Sequence, residues 1–443
     1  MPESRAEGPP VTENPDAAMQ PRQLLRALFD TAVDAVSAER CIPAGIVGEP
    51  VAGCTLIVAI GKAAAAMASV AAGMVRGPVS GLVITRHGHS GSPHFLPPGF
   101  EVIEAGHPVP DTASLAAAAR GLELVQGLGA EDRLLALVSG GGSALFVMPV
   151  PGVSLADKQA VTRALLRSGA AIAEINSVRK HLSMVKGGRL AVAAAPARVT
   201  TLIVSDVPGD DPSFVASGPT VADHTRLETA RAIVARYGIS LPARVAAALG
   251  DPANETPPAD SPGLAEGEVL IVARARDALQ AARRLAEKHG YEVTDLGDHL
   301  EGEARLLGAE HAGLARRLAA DGKARVILSG GETVVRVTNP EGRGGRNLEY
   351  LLGLAIALDG APAIHAIACD TDGIDGTEDN AGAIVTPSTL ARASALGLDA
   401  RAMLDANLAH PFFAALGDLV VTGPTRTNVN DLRAILIVPE GTG

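Results

Sequence analysis

Leu134–Phe146 reads LLALVSGGGSALF, an apolar run that meets Ser139, Gly140, Gly141, Gly142 and Ser143 with no polar spacer. Such a run, bounded by a turn, fits a strand buried on both faces, as in a parallel sheet. Glycines lack a Cβ, so backbone N–H groups can converge on an oxygen-rich group, and a following helix would add the positive end of its dipole. The turn therefore reads as an anion cradle. The phrase returns as ARVILSGGETVV, where Ser329, Gly330, Gly331 and Glu332 again follow an apolar run directly. Two such turns imply two anionic ligands, or one ligand with two anionic ends. A tight strand-to-helix turn is the plainer reading of either one alone.

Outward from this stretch the same rhythm repeats. Apolar runs at 54–61, 81–88 and 100–106 alternate with segments of helical period at 23–36, 62–75 and 112–128. That alternation predicts an α/β fold with a parallel sheet covered on both faces. A chain of 443 residues exceeds one ordinary core, which predicts two domains. With no Trp and 2% aromatic residues, the cores must be filled by Ala, Val, Leu and Ile at close helix-to-sheet spacing. The proline-punctuated residues 1–21 read as a flexible tail, and the Pro-, Gly- and acid-rich stretch 251–267 reads as a boundary.

Composition also excludes. A net charge of −11, with no Lys/Arg block, argues against nucleic acid as the main partner. The apolar stretches are interrupted well short of the ~20 residues a membrane span needs. Cys41, Cys54 and Cys369 lack metal-ligand spacing, and no charged-then-apolar leader opens the chain, so a cytoplasmic setting is expected. The composition leaves monomer and homodimer open.

Four further segments are candidates for chemistry. Lys62 follows Gly61 where a strand gives way to a helix, at the edge where open α/β sheets bind ligands; a solvated helix-start lysine is the bland alternative. Arg179, Lys180, His181, Lys186 and Arg189 form a basic run, for which a solvated helix face is the preferred reading at Lys180 and Arg189. In EGRGGRNLEY, Arg343 and Arg346 precede a helix opening at Asn347, so both guanidiniums and the helix start are expected to face one place. Asp370, Asp372, Asp375, Glu378 and Asp379 crowd the end of a buried strand, a density that calls for a cation, with magnesium the natural candidate. His87, His89 and His94 have no companion ligands at metal spacing and read as loop histidines near a cleft.

Motifs narrow the class. The first strand-to-helix turn, AIGKAAAA, is not the G-x-G-x-x-G of a dinucleotide enzyme, and Ala63 after Lys62 defeats a Walker P-loop. Kinase-signature HRD and DFG segments are absent from the sequence. Any phosphate is handled by another architecture.

Taken in order, SGGGSALF, NSVRKHLSMVKGGRLA, SDVPGDDPSFVASGPT, SGGETVV, GRGGRN, TDGIDG and TGPTRTNVNDLRAI resemble the glycerate 2-kinase family, whose members pair an amino-terminal glycerate kinase domain with a carboxyl-terminal MOFRL domain. The resemblance spans roughly residues 22–438. It implies two Rossmann-like α/β domains, with parallel or mixed sheets covered by helices and an active site in the cleft between them. The implied organisation is a glycerate kinase domain over 22–255, a connecting α/β segment over 256–320 and a MOFRL domain over 321–443. The implied reaction is ATP-dependent phosphorylation of D-glycerate at the 2-hydroxyl, with Mg²⁺. By the same resemblance Lys62 and Arg346 are the catalytic cations, and Asp206 and Asp372 share magnesium binding and acceptance of the hydroxyl proton. The Ser139–Ser143 turn takes phosphates or the glycerate carboxylate, supported by Glu332, Asn347 and the Ser329–Gly331 turn. Leu348, Val334 and Asn380 depart from the family pattern. An NAD(P)H-dependent hydroxypyruvate reductase, a label some members carry, and a nucleotide-binding module without turnover are the alternatives.

Overall fold

The computed structural model describes residues 19–90 and 96–439; the tail expected at the start of the chain falls outside them up to residue 18, as does His94. Six strands build a first sheet: β1 (Thr55–Ile60), β2 (Val79–Arg86), β3 (Phe100–Ala105), β4 (Arg133–Val138), β5 (Arg198–Val204) and β6 (Glu268–Ala273). Their order is β3-β2-β1-β4-β5-β6, and every neighbouring pair is parallel. Every residue of β1 and of β4 is buried, which is why both read as unbroken apolar runs. The strand order reverses between β1 and β4. The turns after these two strands therefore flank the crevice where such sheets take ligands.

The second sheet is mixed. It contains β7 (Glu292–Asp295), β8 (Arg325–Gly331), β9 (Ile364–Asp370), β10 (Gly382–Val385), β11 (Leu419–Val420) and β12 (Asp431–Ile437), in the order β11-β10-β9-β12-β8-β7. Only β7 and β8 are parallel; β12, last of these strands in the chain, runs antiparallel to both β8 and β9. The end of β8, the start of β12 and the end of β9 consequently share one edge, with Gly331, Asp431 and Asp370 in register across it.

The Pro- and Gly-rich stretch 251–267 does not end the first sheet. Segment 256–320 gives β6 to the first sheet and β7 to the second, so it is a strand donor to both. Helix α1 (Pro21–Ala35) buries Leu24, Leu25, Leu28, Phe29 and Ala32 along one stripe, and packs on the helix Ala275–Lys288 and on β9 and β12 of the second sheet. One apolar core joins that stripe to Ile57 and Leu135 of the first sheet and Leu328, Ile367 and Leu432 of the second. Ala64, Ala68 and Ala71 of helix α2 (Ala64–Met74) lie inside it, their small side chains permitting the close approach.

Candidate active site

The first half of the site is three turns laced together at the carboxyl ends of β1, β4 and β5. Gly61 adopts φ +124, and a Cβ there would collide with Ser139, so only glycine serves. Lys62 N–H donates to the Gly140 carbonyl at 2.9 Å, and Ala63 N–H donates to Ser139 Oγ at 3.0 Å. A Cβ on Gly140 would occupy the place of the Asp206 carboxylate, which reaches the same point from the turn after β5. Gly142 and Ser143 open a one-turn helix, Gly142–Leu145, whose first N–H groups have no acceptor within that helix. Ser143 Oγ lies 2.7 Å from Ser217 Oγ.

The second half is organised on Arg346, the first residue of helix α3 (Arg346–Leu358). Its Nε meets Asp431 Oδ1 at 2.8 Å, Nη2 meets Asp370 Oδ2 at 2.8 Å, and Nη1 meets Glu332 Oε1 at 2.9 Å. Those carboxylates come from the start of β12, the end of β9 and the residue after β8, the shared edge that antiparallel pairing creates. Asn347, fully buried, donates from Nδ2 to Asp431 Oδ1 at 2.7 Å.

The halves meet directly. Lys62 Nζ lies 2.6 Å from Asp372 Oδ2, in the turn after β9. From the loop before β12, Asn428 Nδ2 donates to Asp206 Oδ2 at 3.0 Å and Asn430 Nδ2 donates to the Asp206 carbonyl at 2.6 Å.

Burial and charge set the protonation states. Burial pushes the Asp206 carboxyl up to about 6; Lys62 opposes the shift, and the negative charges of Glu332 and Asp370 reinforce it. Burial also raises Asp370, with Asp372 adding to it and Arg346 resisting. For Lys62 burial pulls downward, but Asp372, Asp370 and Asp206 outweigh it and hold the ammonium above its ordinary range. The same contest holds the Arg346 guanidinium charged, with Asp431, Asp370 and Glu332 overcoming burial.

Lys62, Ser139–Gly142, Asp206, Asp372, Arg346, Glu332 and Asn347 are thus linked by a chain of contacts where the two sheets meet. Other expectations are corrected. Ser329, Gly330 and Gly331 are the end of β8, and Gly330 N–H is bonded to the Gly297 carbonyl at 2.8 Å; they are sheet backbone, not an open cradle. The acidic run is neutralised largely by the protein's own groups: Asp372 by Lys62, Asp370 by Arg346, and Glu378 by Arg343. Asp375 instead accepts the N–H groups of Asn347 and Leu348 and so caps α3. Arg343, paired with exposed-side Glu378, does not share a target with Arg346. Lys180 is 1% exposed and paired with Asp223 at 3.1 Å, not solvated on a helix face. His87 and His89 do lie in the loop after β2, His89 buried and His87 paired with Asp111.

Among the described residues no three His, Cys, Asp or Glu side chains come together closely enough to chelate a metal. A hard cation that arrives on phosphates needs only one or two carboxylates, and Asp206 and Asp372 are carboxylates of the type that would fit one. Sequence reasoning missed Asp431, Asn428 and Asn430 as site residues, and missed His107, whose ring lies against Gly141. The one available signal was the polar group NVND placed directly before an apolar run.

Fold and site together define a two-sheet α/β protein that concentrates two cations and several carboxylates where the sheets meet. Residues 24–250 match a domain of unknown function, DUF4147, and residues 325–431 match the MOFRL family. A protein of Agrobacterium vitis, provisionally named hydroxypyruvate reductase, is 52% identical over 425 residues, 94% of each chain. The D-glycerate 2-kinase of Thermotoga maritima is 41% identical over 388 residues, covering 86% of this chain and 90% of that one. A crystal structure of glycerate kinase from the same organism matches with a TM-score of 0.82 and 38% identity, over 94% of this chain and 99% of that one. The chain belongs to the glycerate kinase family and by that membership is a kinase.

Proposed function

We propose that this enzyme transfers the terminal phosphoryl group of ATP to the 2-hydroxyl of D-glycerate, giving 2-phospho-D-glycerate and ADP. The observation that carries the reading is the 2.6 Å pair of Lys62 and Asp372 beside the half-buried Asp206, at the point where the first sheet's strand order reverses. Phosphoryl transfer demands positioning and cationic charge more than covalent help. Asp206, with a carboxyl at about 6 and an amide rather than a cation in contact, suits the base. The substrate hydroxyl gives its proton to Asp206 as its oxygen bonds to the γ-phosphorus, and the bond from that phosphorus to the β–γ bridging oxygen breaks. Lys62, aimed by Asp372, faces the moving phosphoryl group. Arg346, its guanidinium fixed by three carboxylates, retains one N–H on each terminal nitrogen for the glycerate carboxylate. Asp372 and Asp206 are the side chains that would face a magnesium ion carried by the nucleotide, which would neutralise phosphate charge. The cysteines are unpaired, which suits the cytoplasmic setting this reading takes.

The reductase name of the Agrobacterium relative and the dinucleotide-type strand order make reduction of hydroxypyruvate the second reading. Against it stands the turn after β1: Lys62 and Asp372 occupy the mouth where a pyrophosphate-binding glycine turn would open. Incubation with ATP, Mg²⁺ and D-glycerate, followed by phosphorus NMR, should yield 2-phosphoglycerate. Oxidation of NADH or NADPH by hydroxypyruvate without phosphoglycerate formation would reverse the choice.

A further inference from the structure

Next to the Gly140–Ser143 turn lies a group of cations that the chemistry above does not use. Lys158, Lys180 and Lys186 are 5%, 1% and 0% exposed, and Arg179 and Arg189 are half-buried among them. The carboxylates near them are Asp223, paired with Lys180, and Glu255, whose carboxylate binds His181 while its backbone carbonyl accepts from Arg189. The ammonium groups of Lys158 and Lys186 meet only carbonyl oxygens, those of Arg179 and Leu182 for the first and of Ala216 for the second. Five cations against two carboxylates leave a surplus of three when all are charged. Buried cations without anions are costly, and burial together with neighbouring cations drives both lysines well below the ordinary lysine range.

The backbone beside this group is sharply bent. Ala216, Ser217 and Gly218 adopt φ of 52, 63 and 58 in succession, a left-handed run that two non-glycine residues do not enter without support. Gly187 and Gly188 supply it, donating to the Ser217 and Gly218 carbonyls at 3.1 and 2.8 Å. The bend sets Ser217 Oγ against Ser143 Oγ and within 3.5 Å of Asn176 Oδ1. Arg179 completes the cluster, with Nη2 donating to the Ser143 carbonyl at 3.1 Å and Nη1 to Asn176 Oδ1 at 3.4 Å. The same glycine turn touches the Lys62 side chain at Gly141, so the cluster and the reacting centre lie within reach of one polyphosphate chain.

We infer that Ser143, Asn176, Arg179 and Ser217 form a seat for the non-transferred phosphates of the nucleotide, with Arg179 as its cation. The inference rests on the kinase reading for the identity of the ligand. The cluster adjoins the turn that touches Lys62, a span that fits a chain of linked phosphates better than the single carboxylate of glycerate.

The test uses the full chain with inorganic tripolyphosphate as probe, and ATP and D-glycerate in steady state. Tripolyphosphate without glycerate should raise the melting temperature of the parent and not that of Arg179→Gln. Arg179→Gln should raise the KM for ATP more than tenfold with the KM for glycerate within twofold, and Arg179→Lys should recover part of the loss. A rise in the glycerate KM instead, or no change in either, overturns the seat. If Arg179→Gln does not fold, Ser143→Ala carries the same KM comparison. A parent that yields no ADP from ATP and glycerate, yet is stabilised by tripolyphosphate through Arg179, would defeat the kinase reading and leave the phosphate seat standing. An active parent indifferent to these changes would do the reverse.

Discussion

Lys62 Nζ and Asp372 Oδ2 lie 2.6 Å apart although 310 residues separate them, one in the turn after β1 of the first sheet and the other in the turn after β9 of the second. Neither half of the chain can build this pair alone. Lys62→Met should lower kcat by roughly 10²–10³-fold, the scale on which loss of one transition-state electrostatic contact is felt. Asp372→Asn should also slow turnover, and the double variant should fall short of the product of the two singles. A coupled ADP assay on the four proteins decides it; strictly multiplicative losses would mean the two residues act independently.

Arg346 is the cation for Asp370, Asp431 and Glu332 at once. Arg346→Ala should therefore cost stability as well as activity, about 3–5 kcal/mol by analogy with other broken buried pairs. Denaturant unfolding of Arg346→Ala beside Arg346→Lys checks this. The lysine variant should keep most of the stability and still lose kcat, because a point charge cannot replace a fork held by three carboxylates.

Burial raises the Asp206 carboxyl from the ordinary aspartate range to about 6. As the base it must be deprotonated, so kcat should climb with pH and reach half its plateau near pH 6. Stability runs the opposite way: a carboxyl raised on folding holds its proton more tightly in the folded chain, so its contribution is present below about 4 and is lost as pH rises through about 6. Asp206→Asn should remove the acid limb along with most activity. Its melting temperature relative to the parent should increase between pH 5 and pH 8, and an unchanged difference would show that Asp206 does not titrate in that range.

Gly140 leaves no room for a Cβ beside the Asp206 carboxylate and the Asn428 amide. Gly140→Ala should displace Asp206 and lower kcat by at least about 100-fold, since displacements of about 1 Å near the chemistry cost that much. Far-ultraviolet circular dichroism should remain that of the parent. Gly73→Ala, where nothing lies near the added Cβ, serves as the control with unchanged kcat.

The first sheet was legible because strands covered on both faces cannot afford polar interruptions, so TLIVAI and RLLALV announce themselves; only the Arg133 at the mouth of β4 breaks the pattern, and it is buried by bonding to Val47 and Thr55. The second sheet was less so. Strands β10 and β11 span four and two residues, too short for any period to register. Lys62, Asp206, Asp372 and Arg346 were visible because glycine-rich turns mark the ends of strands. Asp431, Asn428 and Asn430 were not, since their partners Arg346 and Asp206 lie far off in sequence and antiparallel pairing alone brings the beginning of β12 to where β8 and β9 finish. The buried state of Lys180 and Lys186 was also hidden, because a basic run looks alike whether it faces water or waits under a bent loop.

The placement of β12 between β8 and β9 orders events in time. While the chain is being made, β8 and β9 each keep one edge open, and the leucine stripe of α1, synthesised long before, lacks part of the surface it will cover. When β12 slots in, it closes the sheet and in the same motion delivers Asp431 to Arg346, and with it the asparagines that hold Asp206. Without β12 in place Arg346 lacks Asp431 and Asp206 lacks both asparagines, so the candidate site depends on the strand farthest along the chain in this sheet.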